Sequence, residues 1–359
     1  MPIELIQHPA DPAMNKLCSL LEEKAKSVDL NDSWPGEQLT ACGEAGVFQW
    51  FLPVECGGQQ WSEADRLRGY LRLSQACMTT TFILTQMTGA CRRIAESENS
   101  NLQKWVPDFL AGRRWASLGI SHLTTSRRHL GQAVLRAAPH GKGYVLNGYS
   151  PWVTGAAHVQ VVVTGATLDD GRQILVALPT DLPGVATPTA AQLVGLTASR
   201  TGPLELVDVE VGREQIIDGP IENIMQRATG AQTGGLQTSA LALGLASSAA
   251  AFLTAEAERR TDLRAPAAEL EASCQEMIDQ LILMAEGTEI CSGEDLRIRA
   301  NSLALRVSQA SLAAAKGSGY VRGHPAGRWC REALFFLVWS CPKPVMTANL
   351  CELAGISDS

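Results

Sequence analysis

The stretch Gly143-Tyr-Val-Leu-Asn-Gly-Tyr-Ser-Pro-Trp-Val-Thr154 decides how this chain is read. Its first half is a short apolar and aromatic run closed by Asn-Gly, the mark of a strand bounded by turn residues. Similar runs flank it at 133–138, 158–164, 172–178 and 204–211. Lys142-Gly143 and Asp169-Asp170-Gly171 supply hairpin-type turns. Roughly 100 residues of short strands at this spacing predict an antiparallel barrel or sandwich over 116–220.

Moving outward, the period changes on both sides. In residues 1–115, Leu17, Leu20, Leu21, Ala25 and Val28 recur at helical spacing, and further helices are expected near 34–45, 62–76, 79–98 and 101–110. Between them, Phe51-Leu-Pro-Val-Glu-Cys-Gly-Gly58 holds too many breakers for anything but a loop. From 221 onward the chain is rich in alanine, the strongest helix former. Four long helices are expected there, at 221–260, 267–290, 295–317 and 325–353, separated by Pro266, Gly293 and the Gly317/Gly319/Gly323 cluster. The expectation is a multi-domain α+β protein. It has an N-terminal helical domain (1–115), a middle antiparallel β-domain (116–220) and a C-terminal four-helix bundle (221–359).

Composition narrows the function. In 359 residues, 45% hydrophobic and 19% charged side chains exclude a disordered chain, because the apolar surface offsets chain entropy. A net charge of −7 argues against non-specific nucleic-acid binding, which needs a basic face. The 10 cysteines are scattered without a C-x-x-C pair, as expected of reduced, buried thiols in a cytoplasmic protein with no metal site. The opening MPIELIQHPADPAMNKL carries charge and proline where a secretory leader needs an apolar core. No run reads as a membrane span of ~20 apolar residues, and 241–253 is read as a buried helix.

Four segments, in register across all three zones, resemble the acyl-CoA dehydrogenase family. They are Pro53 to Gly58 against P-x-x-x-G-G, Tyr144 to Thr154 against Y-x-x-N-G-x-K-x-W-I-T, Leu193 to Val211 against the segment closing the β-domain, and His324-Pro through Arg331-Glu-Ala333 against Y-P…R-D-A. The resemblance implies an FAD enzyme that oxidises an acyl thioester at its α,β carbons. Such chemistry needs a carboxylate for the α-proton and a flavin placed opposite to take the hydride.

On the flavin side, the resemblance assigns Trp152 to the isoalloxazine face and Thr154 to its N5/O4 edge. Without a flavin, Trp152 reads as strand core and Thr154 as a turn residue. His122-Leu-Thr-Thr-Ser-Arg-Arg-His129 stands where the family has T-E-P-x-x-G-S-D. It makes His122, Thr124 and Arg128 candidates for the cofactor, with Arg127 beside them; a solvated basic loop is the competing reading. Arg260 matches the arginine that reaches a neighbouring subunit's FAD, and Gly317 and Gly319 keep two glycines of a Q-x-x-G-G-x-G loop. Gly235 and Trp339 would line the substrate side.

The base is the departure. Its two family positions fall on Ser340 and on Gly234-Gly235, where no carboxylate stands. An unassisted serine cannot take an α-proton near neutral pH. Glu332, two turns before Ser340 on one helix, Cys341 and His324 are the substitutes considered. Three functions compete. They are an FAD-dependent oxidoreductase with an atypical or lost base, a flavin-dependent monooxygenase needing no such base, and a non-catalytic binding protein on the same fold. A homodimer or homotetramer is expected through the bundle, with the alanine-rich 240–251 face at close contacts.

Overall fold

Asp11 starts the first helix by accepting the Ala13 N–H at 2.9 Å, with Pro12 supplying a preset φ at the first helical position. The computed structural model describes residues 4–124, 133–227 and 235–356. The N-terminal helices are α1 (Pro12–Asn31), α2 (Gly36–Glu44), α3 (Glu63–Ala76), α4 (Met78–Ala95), α5 (Ser100–Gln103) and α6 (Val106–Leu110). Ser62 caps α3 through the Asp65 N–H. The loop before it closes on Gly58, where an added Cβ would sit 2.0 Å from the Leu52 carbonyl oxygen, so only glycine fits.

The middle region holds β1 (Ala116–Gly119), α7 (Ser121–Thr124), β2 (Leu135–His140), β3 (Gly143–Val153), β4 (Val161–Thr167), β5 (Gln173–Pro179), β6 (Val185–Ala186), β7 (Gly202–Val211) and β8 (Ile216–Ile221). They form one sheet in the order β6-β7-β3-β2-β4-β5-β8, with β1 pairing β4. Antiparallel pairing dominates, as the hairpin signals suggest; β1 and β2 meet β4 in parallel.

The last region holds α8 (Ile224–Arg227), α9 (Leu236–Ala257), α10 (Arg264–Ala285), α11 (Gly293–Gly319), α12 (Pro325–Ala333) and α13 (Lys343–Ala354). Two expected helices differ. The first does not begin at 221, where Gly219-Pro220 lies in edge strand β8; it begins at Leu236. The last is broken: α12 tightens into a 3₁₀ turn at Leu334–Leu337, and Pro342 and Pro344 start a separate helix. Pro266 lies inside the first turn of α10, where its missing N–H costs nothing.

Apolar residues gather in three main cores. One lies under α1, α2 and α4, one within the sheet, and one joins α3 and α4 to α9, α10, α11 and α12. Helix α9 is long and apolar enough to cross a membrane, yet 67% of its most apolar window is buried here against neighbouring helices. The alanine face expected between subunits is consumed within the chain, since Ala240, Ala242, Ala246 and Ala249 are all buried in that third core. Cys42, Cys77, Cys91 and Cys274 are buried, free thiols.

Candidate functional site

The loop Leu193 to Thr201 brings the candidate residues together. Gly195 lies so close to α12 that an added Cβ would sit 2.9 Å from the Arg331 carbonyl group. Leu196 enters the bundle core. Arg200 reaches the Asp32 carbonyl oxygen at the end of α1, at 3.4 Å. Thr201 meets Thr154, Oγ1 to Oγ1, at 3.1 Å, and Ser199 at 2.8 Å. One loop thus ties the end of β3 to α1 and α12.

The sheet side of the site carries Trp152 and Thr154. Alternation along β3 buries Val153 and turns Trp152 out, leaving its residue surface 49% exposed. Strand core is therefore not its role. Thr154 is buried, and its hydroxyl is engaged by Thr201, which fixes the backbone at the strand end. His122, on α7, is buried with Nε2 2.8 Å from the Gly165 carbonyl oxygen. A carbonyl only accepts, so Nε2 carries the hydrogen and Nδ1 is an acceptor, which has no partner. Burial lowers the imidazole pKa and keeps the ring neutral. Thr124 donates to the Ser121 carbonyl oxygen at 3.2 Å. Arg127 and Arg128 lie outside the described residues.

A half-exposed indole face, a rigid strand end and an orphaned neutral imidazole acceptor fit a flat heteroaromatic ring system with its own N–H groups. On the far side the fit is thinner. Arg260 is turned back onto its own chain: Nη1 donates to the Ala314 carbonyl oxygen at 2.6 Å, with Glu256 at 3.9 Å and Asp262 at 3.6 Å. Gly317 faces open space, next to the kink at Lys316 (φ 53°). Gly319 is a packing glycine, its carbonyl oxygen 2.6 Å from where a Gly327 Cβ would stand.

The helix side is built differently. Trp339 stacks on Phe335 at 5.3 Å and meets Phe82 edge-on at 5.1 Å; Phe82 also meets Phe335 edge-on at 4.8 Å. Beneath this trio, fully buried Arg297 donates from Nη2 to the Trp339 carbonyl oxygen at 2.9 Å and from Nε to Asn301 Oδ1 at 2.9 Å. Asn301 in turn donates to the Phe336 carbonyl oxygen at 3.1 Å. These two polar hooks hold the broken segment in place of helical hydrogen bonds. Sequence reading missed them, although Arg297-x-x-x-Asn301 on an apolar helix face was a usable signal. Burial pushes the Arg297 guanidinium down to about 10. Ser340, the expected base position, is held at φ 46°. Gly235 caps α9 in an extended conformation rather than lying inside a helix, and Gly234 lies outside the described residues.

None of the substitute bases is placed for the reaction. Glu332 does not share a helix with Ser340, because the chain leaves α12 at Ala333, so the two-turn spacing does not apply. Its carboxyl is buried at the N-terminal turn of α4, 3.3 Å from Thr79 Oγ1 and 3.8 Å from Arg328 Nε. Burial, outweighing the Arg328 charge, pushes it up to about 7. That value suits a base, but the group is sealed in the seam where Arg331 also clamps Asp29 at 2.6 Å. Burial raises the Cys341 thiol against the opposing pull of Arg297, which disfavours a thiolate. His324 caps α12, its Nδ1 accepting the Ala326 N–H at 3.2 Å.

No family model matches the chain. Among curated proteins, a probable acyl-CoA dehydrogenase YngJ of Bacillus subtilis is 23% identical over 86% of this chain and 87% of its own length. The mitochondrial short-chain specific acyl-CoA dehydrogenase of Bos taurus is 24% identical over 86% of this chain and 80% of its own. The chain resembles acyl-CoA dehydrogenases over most of its length. Solved structures share its fold from end to end. A glutaryl-coenzyme A dehydrogenase in complex with glutaryl-CoA superposes with TM-score 0.80 at 17% identity, covering 97% of this chain and 96% of that one. KijD3 in complex with FMN and dTDP-3-amino-2,3,6-trideoxy-4-keto-3-methyl-D-glucose gives TM-score 0.72 at 17% identity, covering 98% and 96%.

Proposed function

We propose that this chain is an FAD-dependent oxidoreductase of the acyl-CoA dehydrogenase type, acting on an acyl thioester or a related substrate without the usual carboxylate base. The half-exposed Trp152 indole carries the reading, because a large aromatic face left open at a rigid strand end calls for a flat partner. When bound, the flavin supplies hydride or electron transfer. Trp152 would pack against its ring system, the Thr154 strand end would fix the edge, and His122 Nδ1 would accept a ring N–H. The Phe82–Phe335–Trp339 trio would shape the substrate side and exclude water. Curated relatives named as acyl-CoA dehydrogenases support the substrate class.

A second reading has its own support. With serine at the base position and Glu332 sealed away, the site suits flavin chemistry with O₂ as co-reactant, which needs no α-proton transfer. The KijD3 complex shows that protein holding FMN and a sugar nucleotide on the same fold. Under either reading we propose a homo-oligomer. The open faces of Met346, Leu350 and Leu353 on α13 supply an apolar contact surface in place of the alanine stripe.

The test is colour followed by bleaching. Flavin absorbance at about 450 nm in the purified protein, or after FAD addition, is expected for both enzyme readings. Anaerobic bleaching by butyryl-CoA supports the dehydrogenase type. FAD-loaded protein that resists every acyl-CoA and, once chemically reduced, consumes O₂ with an added substrate supports the monooxygenase. Protein that takes up no FAD is the non-catalytic homologue.

A further inference from the structure

Away from Trp152 and Ser340, helices α1, α3, α9 and α12 line an open cleft of about 730 Å³, a size typical of small-molecule sites. Three cations reach it from three helices: Lys26, Arg72 and Arg328. Arg328 is shared with Glu332 at 3.8 Å. Arg72 is aimed by a neutral partner, its Nη2 donating to Asn15 Oδ1 at 2.6 Å, which fixes the guanidinium without neutralising it. Among the described residues, no carboxylate pairs with Arg72 or Lys26. The facing wall is aromatic, with Phe252 and Trp329 meeting at 5.9 Å and 61°. Helix α12 begins at Pro325 on the same cavity, so its N-terminal dipole adds positive potential. Glu22 is the one carboxylate lining it.

Three cations against one carboxylate, opposite an aromatic wall, select a ligand with separate anionic and flat parts. We propose that this cavity is a second ligand site for a nucleoside diphosphate, with phosphate on Lys26 and Arg72 and the base against Phe252. Arg pairs with phosphate through two parallel N–H donors, and Asn15 holds one face of that fork in position. Glu22 supplies an acceptor for a ligand hydroxyl or amino group. No residue of the proposed flavin site lines the cavity, so both sites fill together.

The test is calorimetric titration of the FAD-loaded protein with ADP, adenosine and inorganic pyrophosphate. One ADP is expected per chain, with adenosine at least about tenfold weaker and with affinity falling as salt rises. Lys26→Ala and Arg72→Ala should each weaken ADP at least about threefold, and together about tenfold or more, with flavin absorbance and melting temperature unchanged. Phe252→Ala should weaken ADP and leave pyrophosphate unaffected. The proposal is overturned if millimolar ADP gives no heat, if ADP displaces FAD, or if the Lys26→Ala variant and the double variant both bind ADP as the parent does.

Discussion

The two sides of the candidate site are built differently. On the sheet side, Trp152 and Thr154 stand at the end of β3, and the indole is half exposed while the threonine is buried. On the helix side, Trp339, the neighbour of Ser340, packs with Phe82 and Phe335 over the Arg297–Asn301 hooks. The sheet side leaves an aromatic face open, and the helix side is closed by packing. A strand end is fixed by ladder hydrogen bonds, so its side chains stay in register. A helix end interrupted by Pro342 and Pro344 can be re-anchored by a few polar bonds, and its chemistry is free to change.

The largest expected effect lies behind the helix side, at Glu332. Its folded pKa of about 7 stands above the ordinary glutamate value of 4.5, so the folded state binds the proton more tightly than the unfolded chain. Stability therefore falls by about 3 kcal/mol as pH rises from 4.5 to 7 and is flat above. Glu332→Gln should remove that slope in urea melts across this range; an unchanged slope would show that the carboxyl is not sealed. Next, Asn301→Ala frees both Arg297 and the Phe336 carbonyl group and should cost about 2 kcal/mol. A loss under about 0.5 kcal/mol would mean the hooks do not hold the rebuilt segment.

On the sheet side, Trp152→Ala should weaken FAD at least about tenfold in a fluorescence titration, since an aromatic contact of this kind, with the area it buries, is worth about 1.4 kcal/mol or more. The same titration on Ser340→Ala should match the parent within about twofold. Equal losses at both positions would erase the distinction between the two sides. The smallest effect belongs to Ser340→Gly. Relief of its left-handed φ of 46° should stabilise the fold by up to about 1 kcal/mol. Destabilisation instead would mean the serine side chain makes a contact that matters.

Much of the fold was legible because hydrophobic period changes at the borders between helices and strands. Strand β3, α3 and α4 fall close to where their patterns put them. The misreadings came from tertiary context. Ile216–Ile221 pairs at the sheet edge through contacts to β5, which no local pattern announces. Pro342 and Pro344 signalled a break after Ser340, but no local breaker announces that α12 already ends at Ala333, between Glu332 and Ser340. Within the site, residue identity showed only that serine stands at 340 and glycine at 234 and 235. It could not show that Glu332 is sealed, because its partner Thr79 is 253 residues away in sequence. Nor could it show that Arg260 is occupied by the Ala314 carbonyl group.

The most direct measurement is FAD uptake by purified full-length protein, parent and Trp152→Ala side by side, followed through flavin absorbance at about 450 nm. One tightly held flavin per chain in the parent, weakened at least about tenfold in the variant, is the predicted result. A parent protein that stays colourless with excess FAD, or a variant that binds it equally well, would contradict a flavin site on the sheet side.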